Sequence, residues 1–162
     1  MDSEKIVSLA FQIQQTMIHK QKTLALAESC TGGYVSHIFT QISGASRFFL
    51  GSLVTYCDTL KEEILHVSKS SLLEKGAVSE QVVSEMVQGV FSVTDADFAI
   101  AFSGIAGPEG GSKEKPVGTV WVAIGERKKN IKTFCLHLSG TRLQIIQQAT
   151  LEALNIFLNE VV

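Results

Sequence analysis

The chain has 162 residues, with 14 lysines and arginines against 16 aspartates and glutamates, for a formal net charge of −2. Hydrophobic residues make up 45%, and charged residues make up 19%, below the usual ~25%; this composition excludes a disordered chain and suffices for one sizeable core. There is no basic excess to neutralise nucleic-acid phosphates, and no apolar run reaches the ~20 residues of a membrane-spanning helix. We expect one domain over residues 1–162 that binds neither nucleic acid nor membranes.

The cysteines and the first residues indicate the cellular location to expect for this chain. Cys30, Cys57 and Cys135 form no CxxC pair, and their odd number argues against a disulfide framework or a structural zinc site. The residues after Met1 lack the charged-then-apolar order of a signal peptide. A reducing, cytoplasmic location is the expectation.

Hydrophobic periodicity predicts an alternation of helices and strands. In chain order, the pattern predicts a helix (3–20), a strand (23–27), a helix (35–42), a strand (48–56), two helices (59–65 and 82–91), three strands (98–102, 118–125 and 131–138) and a final helix (142–158). The last two strands are joined by a short polar turn, which is typical of an antiparallel hairpin. We predict an α/β fold: three layers, α/β/α, with a mixed, mainly parallel sheet ending in an antiparallel hairpin.

The final helix is apolar around much of its circumference. This pattern favours burial on more than one side, between layers or between subunits. We therefore expect a homo-oligomer, at least a dimer.

Glycine and proline concentrate in one segment directly after the most apolar strand. Five of the 13 glycines and both prolines lie there: Gly104, Gly107, Pro108, Gly110, Gly111, Pro116 and Gly118. Ligands of open α/β sheets bind beyond the carboxyl ends of strands, where glycines let backbone N–H groups approach an anion. Lys113 and Lys115 add cationic reach, so the segment is either an anion-binding loop or a flexible surface loop.

A second unusual segment, 27–33, joins a strand to a helix and reads Ala-Glu-Ser-Cys-Thr-Gly-Gly. Hydroxyls or thiols at such a junction lie near unpaired N–H groups that can hold a phosphate or an oxyanion. Ser29, Cys30 and Thr31 all compete for a functional role, and helix capping by a hydroxyl explains the pattern equally well.

The third segment, from Tyr56 to Lys61, also lies where a strand ends and a helix begins. A lysine there becomes a general base if burial lowers its pKa, although an exposed helix lysine is the commoner case. The sequence contains no obvious His–Asp pair, so lysine is the leading candidate base for a serine nucleophile.

Together these segments resemble the CinA C-terminal domain family, also known as the nicotinamide-nucleotide amidase or NMN deamidase family, in its stand-alone form. The resemblance extends over about Ile6–Leu158 and rests on five matching runs: 27–33, Tyr56 with Lys61, 76–80, 103–108 and 114–119. It implies hydrolysis of nicotinamide mononucleotide to nicotinate mononucleotide and ammonia, a step in pyridine-nucleotide recycling, with neither metal nor organic cofactor.

The resemblance also implies roles for individual residues. Ser29 would be the nucleophile and Lys61 its base in a Ser–Lys mechanism, with Tyr56 relaying or orienting the proton. Backbone N–H groups near Thr31, Gly32 and Gly33 would stabilise the oxyanion. The residues implied in binding the ribose phosphate are Ser103, Gly104, Gly107, Gly110, Gly111, Lys115, Thr119 and Arg142.

The chain departs from the family's pattern at two places. Cys57 and Asp58 follow Tyr56, and Asp58 would raise the pKa of Lys61 if the two side chains approach closely. Arg142 supplies the first of two arginines usual near the C-terminus, while Ile146 occupies the second position. Two other functions stay open: a non-catalytic nucleotide-binding or interaction module linked to competence or DNA damage, and hydrolysis of another small amide or ester.

Overall fold

The computed structural model describes residues 2–161, and side chains within residues 3–159. Its strands are β1 (Leu24–Glu28), β2 (Phe49–Val54), β3 (Phe98–Gly104), β4 (Thr119–Glu126) and β5 (Ile131–His137). The helices are α1 (Asp2–His19), α2 (Tyr34–Thr40), α3 (Asp58–Leu65), α4 (Lys69–Lys75), α5 (Glu80–Val93) and α6 (Arg142–Ile156), with a 3₁₀ turn at Ala45–Arg47 and a π-helical turn at Phe157–Val161.

The five strands form one mixed sheet in the order β2-β1-β3-β4-β5. Both β2 and β3 run parallel to β1, whereas the β3–β4 and β4–β5 pairs are antiparallel. The predicted fold class is confirmed, although parallel and antiparallel pairings are equal in number. The reason is the glycine-rich connection over 105–118, which reverses the chain without a crossover helix and so makes β4 antiparallel.

The two faces of the sheet carry side chains of different size. Leu24, Leu26 and Ile100 point into one core together with residues of α1, α2 and α6. Ala25 and Ala27 point to the opposite face, where α5 packs. Side chains alternate between the two faces along a strand, so the large residues lie on one face and the small residues on the other. The distance between the sheet and its helices therefore differs between the two faces. The small face lets α5 lie close to β1 and β3.

A close approach between α3 and α5 fixes the helix that carries Lys61. A Cβ added at Gly89 of α5 would lie 2.2 Å from the Leu65 carbonyl oxygen at the end of α3. Only glycine fits there, because any larger residue would push the two helices apart. The position of α3, and with it Lys61, therefore depends on Gly89.

Sequence periodicity missed α4, which has only two apolar residues, Leu72 and the largely exposed Leu73. Hydrogen bonds hold this helix instead of a hydrophobic face. Ser68 caps it by accepting from the Ser71 N–H, and the Ser71 hydroxyl donates to the Glu85 carboxylate at 2.6 Å. Within residues 2–161, no helix is both long and apolar enough to cross a membrane.

Candidate active site

A cavity of about 270 Å³ opens at the carboxyl ends of β1 and β3. It collects the three segments that the sequence singled out, with residues from the 27–33 turn, the start of α3 and the glycine-rich connection. The predicted site residues that line it are Ser29, Tyr56, Lys61, Ser103, Gly104, Gly107, Gly110 and Arg142. Ligands of α/β sheets bind at such carboxyl ends, so the topology itself favours this cavity.

Ser29 is nearly buried, at 8% exposure, and is tied to the sheet. Its N–H donates to the Phe102 carbonyl at 3.0 Å, which continues the parallel β1–β3 ladder by one residue. The Gly32 N–H donates to the Ser29 carbonyl at 3.0 Å and closes a tight turn. Gly32 and Gly33 have φ of +58° and +94°, which a residue with a Cβ rarely adopts. This turn places the Ser29 side chain at the edge of the cavity.

Lys61 is a buried lysine, only 1% exposed, and shares the cavity with Ser29. Its Nζ donates to the Thr55 carbonyl at 3.0 Å and the Tyr56 carbonyl at 3.3 Å, and lies 3.7 Å from Asp58 Oδ1. Burial lowers the pKa of Lys61, and the Asp58 carboxylate opposes that shift. As a neutral amine, Lys61 donates both of its N–H groups to these carbonyls and keeps its lone pair for a proton.

Cys30 also lines the cavity, but its chemistry differs from that of Ser29. The side chain is buried at 7% exposure, and burial raises the pKa of the Cys30 thiol to about 12. Since the thiolate is the nucleophilic form, a thiol held in this state is unreactive near neutral pH. The structure therefore favours Ser29 between these two candidates.

Arg142 and Tyr56 form a bridge across the mouth of the cavity. The Arg142 Nη2 donates to the Tyr56 hydroxyl at 2.8 Å, and Nη1 donates to the Gly107 carbonyl at 2.9 Å. Arg142 is the first residue of α6, after a capping box formed by Thr141 and Gln144. This guanidinium is an exposed positive charge beside the glycine-rich loop, suited to an anionic substrate.

The backbone donors of the 27–33 turn are not all free. The Gly33 N–H donates to Glu28 Oε2, and the Gly32 N–H is used within the turn. In contrast, the N–H groups of Cys30 and Thr31 donate to no oxygen atom within the described part of the chain. Of the predicted oxyanion donors at 31–33, the N–H groups of Gly32 and Gly33 are therefore already engaged, and a role for the Thr31 N–H stays a prediction.

Six predicted site residues do not line the cavity: Thr31, Gly32, Gly33, Gly111, Lys115 and Thr119. Lys115 lies at a different cavity and its Nζ donates to the Lys75 carbonyl at 2.6 Å. The Thr31 and Thr119 hydroxyls are buried and have no hydrogen-bond partner among the described residues. Phosphate binding by Lys115 and Thr119 stays a prediction.

Other residues line the cavity without having been assigned a role from sequence: Ala77, Val78, Ile105, Ala106 and Glu109. The Ser103 hydroxyl donates to the Ala77 carbonyl at 2.8 Å and so attaches the segment before α5 to the end of β3. The 76–80 run is part of the resemblance, but the two of its residues that line the cavity, Ala77 and Val78, carry no reactive group. Only their position in the fold assigns them to the site.

Comparison with known proteins identifies the family of this chain. The model of the CinA C-terminal domain matches residues 6–161. The chain belongs to the CinA C-terminal domain family. A protein of Shigella flexneri named nicotinamide-nucleotide amidohydrolase PncC is 42% identical over 154 residues, covering 95% of this chain and 93% of the relative. The PncC of Escherichia coli K12 has the same identity and coverage.

Longer CinA proteins and solved structures extend the comparison. A CinA-like protein of Cytophaga hutchinsonii is 41% identical, and the match covers 92% of this chain but 35% of that protein. The crystal structure of a competence/damage inducible protein from Agrobacterium tumefaciens superposes with a TM-score of 0.93 at 35% identity, covering 95% of this chain and 94% of that one.

Ile146, which replaces the second arginine usual in the CinA family, lies in α6 one turn after Arg142. It is half-buried and packs against the core shared with α1 and α2. This position supplies no charge to the cavity mouth in this chain. Arg142 alone represents that pair here.

Proposed function

We propose that this chain hydrolyses the carboxamide of nicotinamide mononucleotide, giving nicotinate mononucleotide and ammonia, by a Ser–Lys mechanism. The observation that carries the proposal is the presence of Ser29 and a buried Lys61 of lowered pKa in one cavity. Relatives that match nearly end to end are named for amide hydrolysis of a nicotinamide nucleotide. A serine nucleophile needs a base, and burial favours the neutral amine form of lysine, which can accept the serine proton.

In the proposed first step, the Ser29 hydroxyl attacks the carboxamide carbon and its proton passes to the neutral Lys61 amine. The resulting tetrahedral intermediate collapses when Lys61 returns that proton to the departing nitrogen, and ammonia leaves. Lys61, neutral again, then takes a proton from water as the water attacks the Ser29 ester. The acid product leaves as nicotinate mononucleotide, and Ser29 regains its proton. Tyr56 is proposed to orient this transfer from the cavity mouth.

The oxyanion of each tetrahedral intermediate needs hydrogen-bond donors that are already in place. The amides of Cys30 and Thr31 follow the nucleophile directly, donate to no oxygen atom within the described residues, and are the donors proposed here. Donors arranged before the reaction avoid reorganisation as charge develops, and one such donor contributes a factor of about 10² to 10³ in kcat.

The phosphate of the substrate is proposed to bind at the opposite side of the cavity. There Arg142 lies beside the glycine-rich loop, whose residues Gly104, Gly107 and Gly110 line the wall. A guanidinium forms strong charge-assisted hydrogen bonds with phosphate oxygens. Ser103 lies at the base of this wall, where its hydroxyl holds the Ala77 carbonyl.

Ammonia release from nicotinamide mononucleotide by the purified 162-residue chain tests the proposal. Ser29→Ala is expected to abolish release, with a loss of at least about 10³-fold, because the nucleophile is gone. Cys30→Ala is the matched control and should retain activity within about threefold, since the backbone N–H remains. A folded wild-type protein that releases no ammonia contradicts the proposal, and loss of activity in Cys30→Ala alone would favour the thiol.

The same assay separates the other candidate functions. Saturable nucleotide binding without turnover, unchanged in Lys61→Ala, would indicate a non-catalytic module. Turnover of small amides or esters that lack phosphate, at equal kcat/KM, would indicate a broader hydrolase. Assembly into at least a dimer stays a prediction that light scattering would test. Cytoplasmic location stays a prediction that cell fractionation would test. The absence of nucleic-acid binding also stays a prediction.

A further inference from the structure

The fully buried carboxylate next to the nucleophile has no step in the proposed reaction. Glu28 is the last residue of β1, directly before Ser29, and its exposed fraction is 0%. Burying a carboxylate is costly unless hydrogen bonds replace its water. The contacts of Glu28 therefore indicate what this carboxylate does.

Each carboxylate oxygen of Glu28 accepts two hydrogen bonds. Oε2 accepts from the N–H groups of Gly33 and Val35, both at 3.1 Å. Oε1 accepts from the Ser36 N–H at 3.0 Å and the Ser52 hydroxyl at 2.9 Å. Three of the four donors are backbone amides, which cannot turn into acceptors. An ionised carboxylate, which only accepts, matches this set.

These bonds tie together both ends of the turn that carries Ser29. The Glu28 main chain belongs to β1, and its carbonyl accepts from the Thr55 N–H at 2.9 Å. Its side chain holds the first turn of α2, so residues 29–32 form a short bridge between two anchored points. The amides at the start of α2 are occupied by this internal anion and are not available to a ligand. The amides at 30 and 31, by contrast, donate to no oxygen atom within the described residues.

We propose that Glu28 is a positioning residue: its carboxylate holds the start of α2 so that Ser29 and the adjacent amides of Cys30 and Thr31 keep their reactive geometry. This inference rests on the proposed amidase function. Glu28 does not touch the substrate in this scheme. It acts through the turn, and displacement of a reacting group by about 1 Å lowers a rate by about 10²-fold.

The variant Glu28→Gln tests the carboxylate with almost no change in size. Whichever way the amide is placed, its NH₂ group must face a backbone N–H, either Ser36 on one side or Gly33 and Val35 on the other. Two donors then oppose each other, and the first turn of α2 moves away. We expect kcat for ammonia release to fall at least tenfold while KM changes less than about twofold, since the phosphate-binding wall is untouched.

A second readout follows the nucleophile without using the substrate. The rate at which phenylmethanesulfonyl fluoride labels Ser29, measured by intact-protein mass, reports the reactivity of the hydroxyl. Glu28→Gln is expected to slow this labelling at least tenfold. Circular dichroism and the melting temperature establish that the compared proteins are folded at the assay temperature.

Glu85→Gln is the matched control. The Glu85 carboxylate also accepts three hydrogen bonds, from the Ser68 N–H at 2.7 Å, the Ser71 hydroxyl at 2.6 Å and the Gln81 amide at 2.6 Å. It lies on α5, away from the cavity. This variant should lower the melting temperature while kcat and the Ser29 labelling rate stay within about twofold. A fall in kcat in both variants would indicate a general effect of lost stability and overturn the proposal.

Ser52→Ala keeps the inference testable if Glu28→Gln does not fold. It removes one donor from Oε1 and leaves the charge and the three amide bonds of Glu28 in place. We expect kcat and labelling to fall about twofold to fivefold with KM unchanged. Unchanged kcat and labelling in Ser52→Ala, with Glu28→Gln unfolded, would overturn the proposal.

The two readouts separate failure of this inference from failure of the proposed function. Slower labelling of folded Glu28→Gln supports the positioning role even if no variant, wild type included, releases ammonia from nicotinamide mononucleotide. Ammonia release and labelling that both match wild type in folded Glu28→Gln overturn the positioning role and leave the amidase function intact. A wild-type Ser29 that neither reacts with the sulfonyl fluoride nor supports ammonia release overturns both.

Discussion

Two cavities of this protein differ in size and in chemistry. The one that holds Ser29 and Lys61 has a volume of about 270 Å³, whereas the groove beside α5 and β5 has about 560 Å³. The larger groove contains the chain's tryptophan, Trp121, and the lysines Lys75 and Lys115. Among the described residues that line the larger groove, the serines Ser79 and Ser84 are only half-buried, as is Lys115, and Lys75 is exposed. We therefore base the choice of the smaller cavity as the candidate site on its buried functional groups, Ser29 and Lys61, and not on cavity volume.

The difference follows from where each cavity lies on the sheet. The smaller one opens at the carboxyl ends of β1 and β3, where the 27–33 turn and the glycine-rich loop converge. The larger one lies along the side of the sheet, next to the antiparallel hairpin. The segment before α5 separates them, and Val78 lines both. Ser103, from the smaller cavity, holds this segment at the Ala77 carbonyl, and Lys115, from the larger one, holds the preceding end of α4 at the Lys75 carbonyl.

The largest expected effect contrasts one lysine from each cavity. Lys61→Met is expected to lower kcat by about 10³-fold, because it removes the proposed base while keeping a side chain of similar length. Lys75→Met changes an exposed lysine of the larger groove in the same way and should keep kcat within about twofold. Steady-state ammonia release measures both. An equal loss of kcat in the two variants, or no loss of kcat in Lys61→Met, would contradict the assignment of the base to the smaller cavity.

Much of the fold and the location of the smaller cavity could be predicted from the sequence, because apolar periodicity indicates the strands and helices and thus where the strands end. Apolar periodicity predicted every strand and all helices except α4, which hydrogen bonds stabilise rather than a hydrophobic stripe. Strand ends carrying Ser29, Lys61 and the glycine-rich segment were predicted to be functional, and they do meet. Resemblance, not spacing, selected Ser29 over Cys30, since reactivity depends on burial, which sequence does not show.

Contacts between distant segments could not be predicted. The Lys115 side chain donates to the Lys75 carbonyl at the end of α4. Apolar periodicity did not predict α4, so this hydrogen bond could not be predicted either. In the sequence, Glu28 is not distinguished from the other polar residues of the 27–33 segment. It is buried because β1, α2 and β2 pack together around its side chain. Tertiary packing, rather than local propensity, decides such cases.

A smaller effect concerns the charge that opposes the lowered pKa of Lys61. Asp58 Oδ1 lies 3.7 Å from Lys61 Nζ, and its negative charge raises the lysine pKa against the effect of burial. The base works as the neutral amine, so activity rises as pH increases through this pKa. Asp58→Asn removes the opposing charge, lowers the pKa of Lys61 further, and is expected to move the acidic limb of the pH–kcat profile to lower pH.

The size of that effect is limited by the exposure of Asp58, whose side chain is 61% accessible. An exposed ion pair contributes about 1 kcal/mol or less, so kcat at a fixed pH on the acidic limb should rise about twofold to fivefold. Glu63→Gln removes an exposed carboxylate from the same helix and should leave the limb in place. A limb that moves to higher pH in Asp58→Asn would contradict Lys61 as the base.

The smallest expected effect tests where the substrate phosphate binds, and it returns to the two cavities. Arg142 lines the smaller one, whereas Lys115 Nζ is held by the Lys75 carbonyl at the larger. Because of this position, Lys115→Met should raise KM for nicotinamide mononucleotide less than about twofold. Arg142→Met is the matched comparison and should raise KM at least tenfold, since a hydrogen bond to a charged group contributes about 1.5–3 kcal/mol. A tenfold rise in KM for Lys115→Met would mean that this lysine leaves the Lys75 carbonyl to bind phosphate, and that the two cavities act as one site once substrate is bound.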